Sequence, residues 1–115
     1  MGTNYYLKYD ICECCNRYDE IHIGKSSAGW QFIFRGYGED FIPVLQTYDQ
    51  WKDFIKDQLY GDTAKIVNEY GKEIGLKEFV EMVKEKQENP KNKIHNFTNN
   101  YIDVRGYNFC STEFS

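Results

Sequence analysis

Three thiols and one of the chain's two imidazoles fall within the eleven residues Cys12-Glu13-Cys14-Cys15-Asn16-Arg17-Tyr18-Asp19-Glu20-Ile21-His22. No other feature constrains the fold as strongly. Two thiolates three residues apart converge on a tetrahedral ion when the backbone between them turns back on itself, and zinc takes such Cys and His sets. The spacing predicts a zinc-knuckle-like turn with Cys12, Cys15 and His22 as ligands of a structural Zn2+. A closed site needs a fourth ligand. Cys110 fits if the last hairpin pairs beside the first strand; His95, Cys14 and Asp19 are the alternatives, and no spacing singles one out.

The segments around the cluster alternate. Over residues 5–11, Leu7, Tyr9 and Ile11 take one face and Tyr6, Lys8 and Asp10 the other, the period of a half-buried strand. Residues 20–25 form a second short strand with Ile21 and Ile23 inward, and residues 26–29 read as a turn. Residues 30–36 make a third strand with Trp30, Phe32 and Phe34 on one side, so the first third of the chain reads as an antiparallel meander with an aromatic face.

A helix must cover that face. Residues 48–59 supply it: Thr47 and Gln50 form a capping-box pair, Trp51, Phe54, Ile55 and Leu59 fall on one stripe, and Gly61 stops the helix. A hairpin over residues 65–74 follows. A second helix spans residues 76–87, with Leu76, Phe79, Val80 and Val83 on one side and Asn89-Pro90 after it. Residues 101–104 and 107–110 flank Arg105-Gly106 as a last hairpin. The expected fold is a small single α+β domain over residues 1–115, an antiparallel sheet packed by two helices.

Formal net charge is −4, so no global positive field draws the chain to nucleic acid. Ten tyrosines, each an apolar ring with a hydroxyl, suit protein contact surfaces. No apolar run is long enough to span a bilayer and the start lacks the pattern of a secretion signal, so the expected location is the cytoplasm, where cysteines serve metals or stay reduced.

Other motifs fall short of their chemistry. Gly24-Lys25-Ser26 resembles the end of a phosphate loop, but Asp19 stands where the first glycine belongs and Gly29-Trp30 follows instead of a helix. The segment reads as a turn whose Lys25, Ser26 and Ser27, with Trp30 beside them, contact a partner. An open three-ligand zinc can activate water, yet no HExxH or deaminase pattern supplies the general base. No catalytic residues are assigned, and the chain is expected not to be an enzyme.

Met1-Gly2-Thr3-Asn4-Tyr5-Tyr6-Leu7, the Cys12-x-x-Cys15 turn and His22-Ile23-Gly24-Lys25-Ser26-Ser27-x-Gly29-Trp30 resemble a family of small uncharacterised proteins found in bacteriophages and prophages. Glu69-Tyr70-Gly71, Gly106-Tyr107-x-Phe109 and the Phe114-Ser115 ending extend the resemblance over most of the chain. The resemblance implies metal-binding positions at Cys12, Cys15 and His22, with Cys14 incidental, and action in the host cytoplasm. The reading that follows is a non-enzymatic accessory protein that binds a host or phage protein. The alternative is a nucleic-acid-binding module using the knuckle with Arg17, Lys25, Trp30 and Arg35.

Overall fold

The structure is a computed structural model, and it describes residues 2–12, 14–15, 17–27, 29–38, 44–61, 63–92 and 100–110. Along the chain these form β1 (Gly2–Cys12), β2 (Arg17–Ser27), β3 (Ile33–Arg35), α1 (Tyr48–Tyr60), β4 (Lys65–Asn68), β5 (Glu73–Ile74), α2 (Leu76–Glu88), β6 (Asn100–Ile102) and β7 (Asn108–Cys110). The strands make one seven-stranded sheet in the order β5-β4-β1-β2-β3-β7-β6. The α+β class and the β1-β2-β3 meander expected from the sequence are both present.

Every pairing is antiparallel except β3 with β7, which is parallel. The last hairpin therefore enters the sheet beside β3, two strands away from β1. Phe34 faces Phe109 in that parallel register, and their rings stack with centroids 5.1 Å apart. Tyr101 continues the row on the far side of Phe109 at 5.3 Å.

Both helices pack on the same face of the sheet, the one carrying Tyr5, Leu7, Tyr9, Ile21, Phe32, Phe34, Ile66 and Phe109. The capping box predicted at Thr47 and Gln50 is formed. It fixes where α1 begins, so that Trp51, Phe54 and Ile55 turn into the core. Phe54 meets Tyr9 edge-on at 5.8 Å, and Phe79 of α2 meets Tyr5 and Phe32 at 5.7 and 5.6 Å. Gly24 sits directly beneath the Phe32 ring, where a Cβ would lie 2.5 Å from a ring carbon and 2.2 Å from the Ile33 carbonyl oxygen. That closeness requires glycine.

Several elements differ in extent from the sequence reading, β2 and β3 most of all. β2 begins at Arg17 and runs on past Lys25 through Ser26 and Ser27, which pair with Thr3 and Gly2, so these two serines are strand and Gly29 follows at φ 80°. The third strand contracts to three residues, with Tyr37 bridging back to Leu45.

Candidate functional site

β1 and β2 are eleven residues each, and their neighbours hold only part of them. β4 pairs with Tyr5 to Lys8 of β1, and β3 pairs with Gly24 and Lys25 of β2. Beyond these, among the described residues, the Ile11 N–H donates to the Thr63 carbonyl at 2.9 Å and the Glu69 N–H to the Asn4 carbonyl at 2.9 Å. The end of the hairpin lies beyond the residues that β3 and β4 pair with among the described strands, and it carries Cys12, Cys14 and Cys15, all exposed and free.

Two bulges shape this arm. Between the Tyr5↔Gly24 and Tyr6↔His22 pairs, β2 carries the extra residue Ile23. Between Tyr9↔Asp19 and Cys12↔Arg17, Asp10 and Ile11 of β1 oppose Tyr18 alone. Asp10 takes a positive φ of 51°, a conformation Asp tolerates better than most residues, and the bulge adds local twist just before the cysteines.

At the tip the Cys12 thiol is held below its ordinary pKa, first by a hydrogen bond from the Cys15 side chain, then by the backbone N–H groups of Cys15 and Cys14. Donors converging on one sulfur favour the thiolate, the form that binds metal. Arg17 stands directly opposite Cys12 in the ladder. Behind the tip, Asp10, Arg17, Tyr18 and Asp19 line an open depression of about 390 Å³. Lys8 lies over the Tyr18 ring, 4.3 Å from its centroid.

The four residues expected to share a zinc ion do not come together. His22 pairs with Tyr6, six residues along β1 from Cys12, which at the usual strand rise is about 20 Å away. It is buried, and its Nε2 lies 2.9 Å from Asn4 Oδ1. Cys110 is buried in β7 beside Arg35, on the far side of β3. Cys12 and Cys15 alone are adjacent. Among the described residues no group of three His, Cys, Asp or Glu side chains could hold a metal ion, and His95 lies outside the described residues.

Lys25, Ser26, Ser27 and Trp30, read as a partner-contacting turn, are half-buried, and the Ser27 carbonyl accepts from Lys86 Nζ at 2.7 Å and from the Trp30 N–H at 3.2 Å. Lys25 and Trp30 also lie at the opposite end of β2 from Arg17, so the basic and aromatic residues considered for nucleic acid do not form one patch with the knuckle.

The sequence reading missed the outer edge of β2. Glu69 N–H donates to the Asn4 carbonyl at 2.9 Å, so Asn4, Tyr6 and Lys8 turn their backbone groups toward β4. Their partners on β2 therefore turn away from β1, and the Tyr37 hydroxyl reaches the His22 carbonyl from that outer side at 3.4 Å. By the same alternation Glu20 and Tyr18 point N–H and C=O outward. Among the described strands, none pairs with them there. Tyr18 is 47% exposed. The signal was present in Arg17-Tyr18-Asp19-Glu20, a strand-compatible run with no inward apolar residue.

No protein-family model, no curated protein and no solved structure matches this chain. Among the described residues no helix is long and apolar enough to cross a membrane.

Proposed function

We propose that this is a small phage-type accessory protein that acts in the host cytoplasm by binding a host or phage protein, without catalysis. The observation that carries the reading is the outer backbone edge of β2 at Tyr18 and Glu20, with which no strand pairs among the described residues. An unpaired strand edge offers main-chain donors and acceptors in register for an extended segment of another protein. Tyr18 adds a large ring with a polar tip beside that edge, the residue type that anchors protein contacts. The net charge of −4 favours a protein partner over a phosphate backbone.

Tyr18→Pro tests this specifically. Proline removes the outward N–H while leaving the bonds to β1, which Arg17 and Asp19 make on either side. Capture from bacterial lysate with the wild-type chain as bait should retain a partner that the Tyr18→Pro bait loses, with the far-UV circular dichroism of the two unchanged. Equal capture by both baits overturns the edge as the binding surface. Salt-sensitive binding of nucleic acid with no protein captured overturns the protein-binding reading itself.

A further inference from the structure

We infer that the segment received by the β2 edge carries a lysine or arginine across from Glu20, so that the partner offers a basic extended peptide. The inference rests on the edge-binding reading above. When a strand is added to a sheet, main-chain bonds supply affinity and the pockets met by alternate side chains supply selectivity. Such a pocket lies next to this edge. On the face opposite the helices, Glu20 borders a groove of about 270 Å³ that runs over β1 toward β4, with Tyr6, Lys8, Val67 and Glu69 among its walls. Val67 is buried and gives the groove an apolar floor.

The charges of this groove do not cancel. Lys8 stands directly opposite Glu20 in the ladder, the usual arrangement for a cross-strand ion pair. Its ammonium instead lies over the Tyr18 ring, 4.3 Å from the centroid, held by the electron-rich ring face. The ion pairs among the described residues are Lys84 with Glu88 and Arg105 with Asp49, so within that set neither Glu20 nor Glu69 has a cationic partner. Glu69 Oε1 accepts the Asn4 N–H at 2.8 Å, which fixes this carboxylate in place without neutralising it. The groove thus sets two carboxylates against one ammonium. A strand added beside β2 brings one side chain directly across from Glu20, with the two Cβ atoms about 5 Å apart. A long cationic side chain there meets Glu20 at the mouth of the groove, and an acidic one is repelled. On the helix side of the arm Arg17 and Asp19 carry opposite charges, so that side favours neither sign and selection falls to Glu20.

The probes are two short fluorescein-labelled peptides of alternating threonine and valine with blocked ends, identical except for a central lysine or glutamate. Each is titrated with the full chain at low salt and followed by fluorescence anisotropy. The lysine peptide should bind about fivefold tighter than the glutamate peptide, one attraction and one repulsion acting at a directly opposed pair. Glu20→Lys should invert that order, and Tyr18→Pro should weaken both peptides alike. Equal affinities for the two peptides, with both lost in Tyr18→Pro, would overturn the basic partner while leaving the edge as the binding surface. A lysine preference that persists in Glu20→Lys would overturn it as well. Binding that Tyr18→Pro leaves unchanged, or no binding of either peptide, would overturn the edge reading and this inference with it.

Discussion

The carboxylate of Asp103 accepts the backbone N–H of Tyr48 at 2.7 Å, so the residue that shapes the last hairpin turn also holds the first turn of α1. Its other oxygen accepts from the N–H groups of Arg105 and Tyr107, both at 2.9 Å, and Gly106 completes the turn at φ 88°. One side chain thus joins two elements far apart in sequence, and its negative charge sits at the positive end of the helix. Asp103→Ala should cost about 2 kcal/mol of stability, since it leaves donors of a helix start and a turn without their acceptor. Urea unfolding of the two chains checks this.

Trp51 is fully buried and donates its indole N–H to the Arg35 carbonyl at 2.9 Å, which ties α1 to the end of β3. Trp51→Phe keeps much of the ring volume but leaves that carbonyl without its donor. A loss of about 1–3 kcal/mol is expected from the hydrogen bond alone, measured as a lowered midpoint in thermal unfolding.

Burial pushes Tyr48 up to about 12, with the stacked Tyr107 ring 4.1 Å away adding to the shift, and burial pushes Tyr101 up to about 12 with Asp103 adding to it. A folded-state value above the unfolded one means the fold favours the protonated phenol. That contribution is fully present below pH 10, the ordinary tyrosine value, and is lost as pH rises toward 12. A late-titrating fraction of the tyrosinate absorbance should therefore appear together with loss of near-ultraviolet dichroism.

The alternation of β2 predicts a pattern in amide hydrogen exchange. Asp19 and Ile21 bond to β1, whereas Tyr18 and Glu20 point outward. Exchange measured residue by residue should be fast at Tyr18 and Glu20 and slow at Asp19 and Ile21. Uniform protection across the four would mean that another segment covers the edge.

Much of this architecture is legible in the sequence because local chemistry decides it. Thr47 and Gln50 announce α1, the Trp51-Phe54-Ile55 spacing gives its buried stripe, and Tyr70-Gly71-Lys72 turns the β4–β5 hairpin. The parallel pairing of β3 with β7 is not local. More than seventy residues separate Phe34 from Phe109, and nothing in either three-residue strand encodes its neighbour. The length of β2 was hidden for a related reason: Arg17 to Glu20 project on an arm with no buried face, so alternation between apolar and polar residues never arises there. That length decides the fate of His22. Seven residues beyond Cys15 are compact if they turn and long if they extend, and they extend. The alternating Ile21 and Ile23 already placed the imidazole in a strand, where it meets Asn4 well away from the thiols.

Photo-crosslinking from defined positions tests the central claim, that the end of the first hairpin is the working surface, most directly. A photoreactive phenylalanine derivative is placed at position 18, and separately at position 70, where Tyr70 is 77% exposed on the β4–β5 turn. In the bacterial cytoplasm the chain labelled at position 18 should form a discrete adduct with another protein, and the chain labelled at position 70 should not. Adducts from position 70 with none from position 18 would contradict the account.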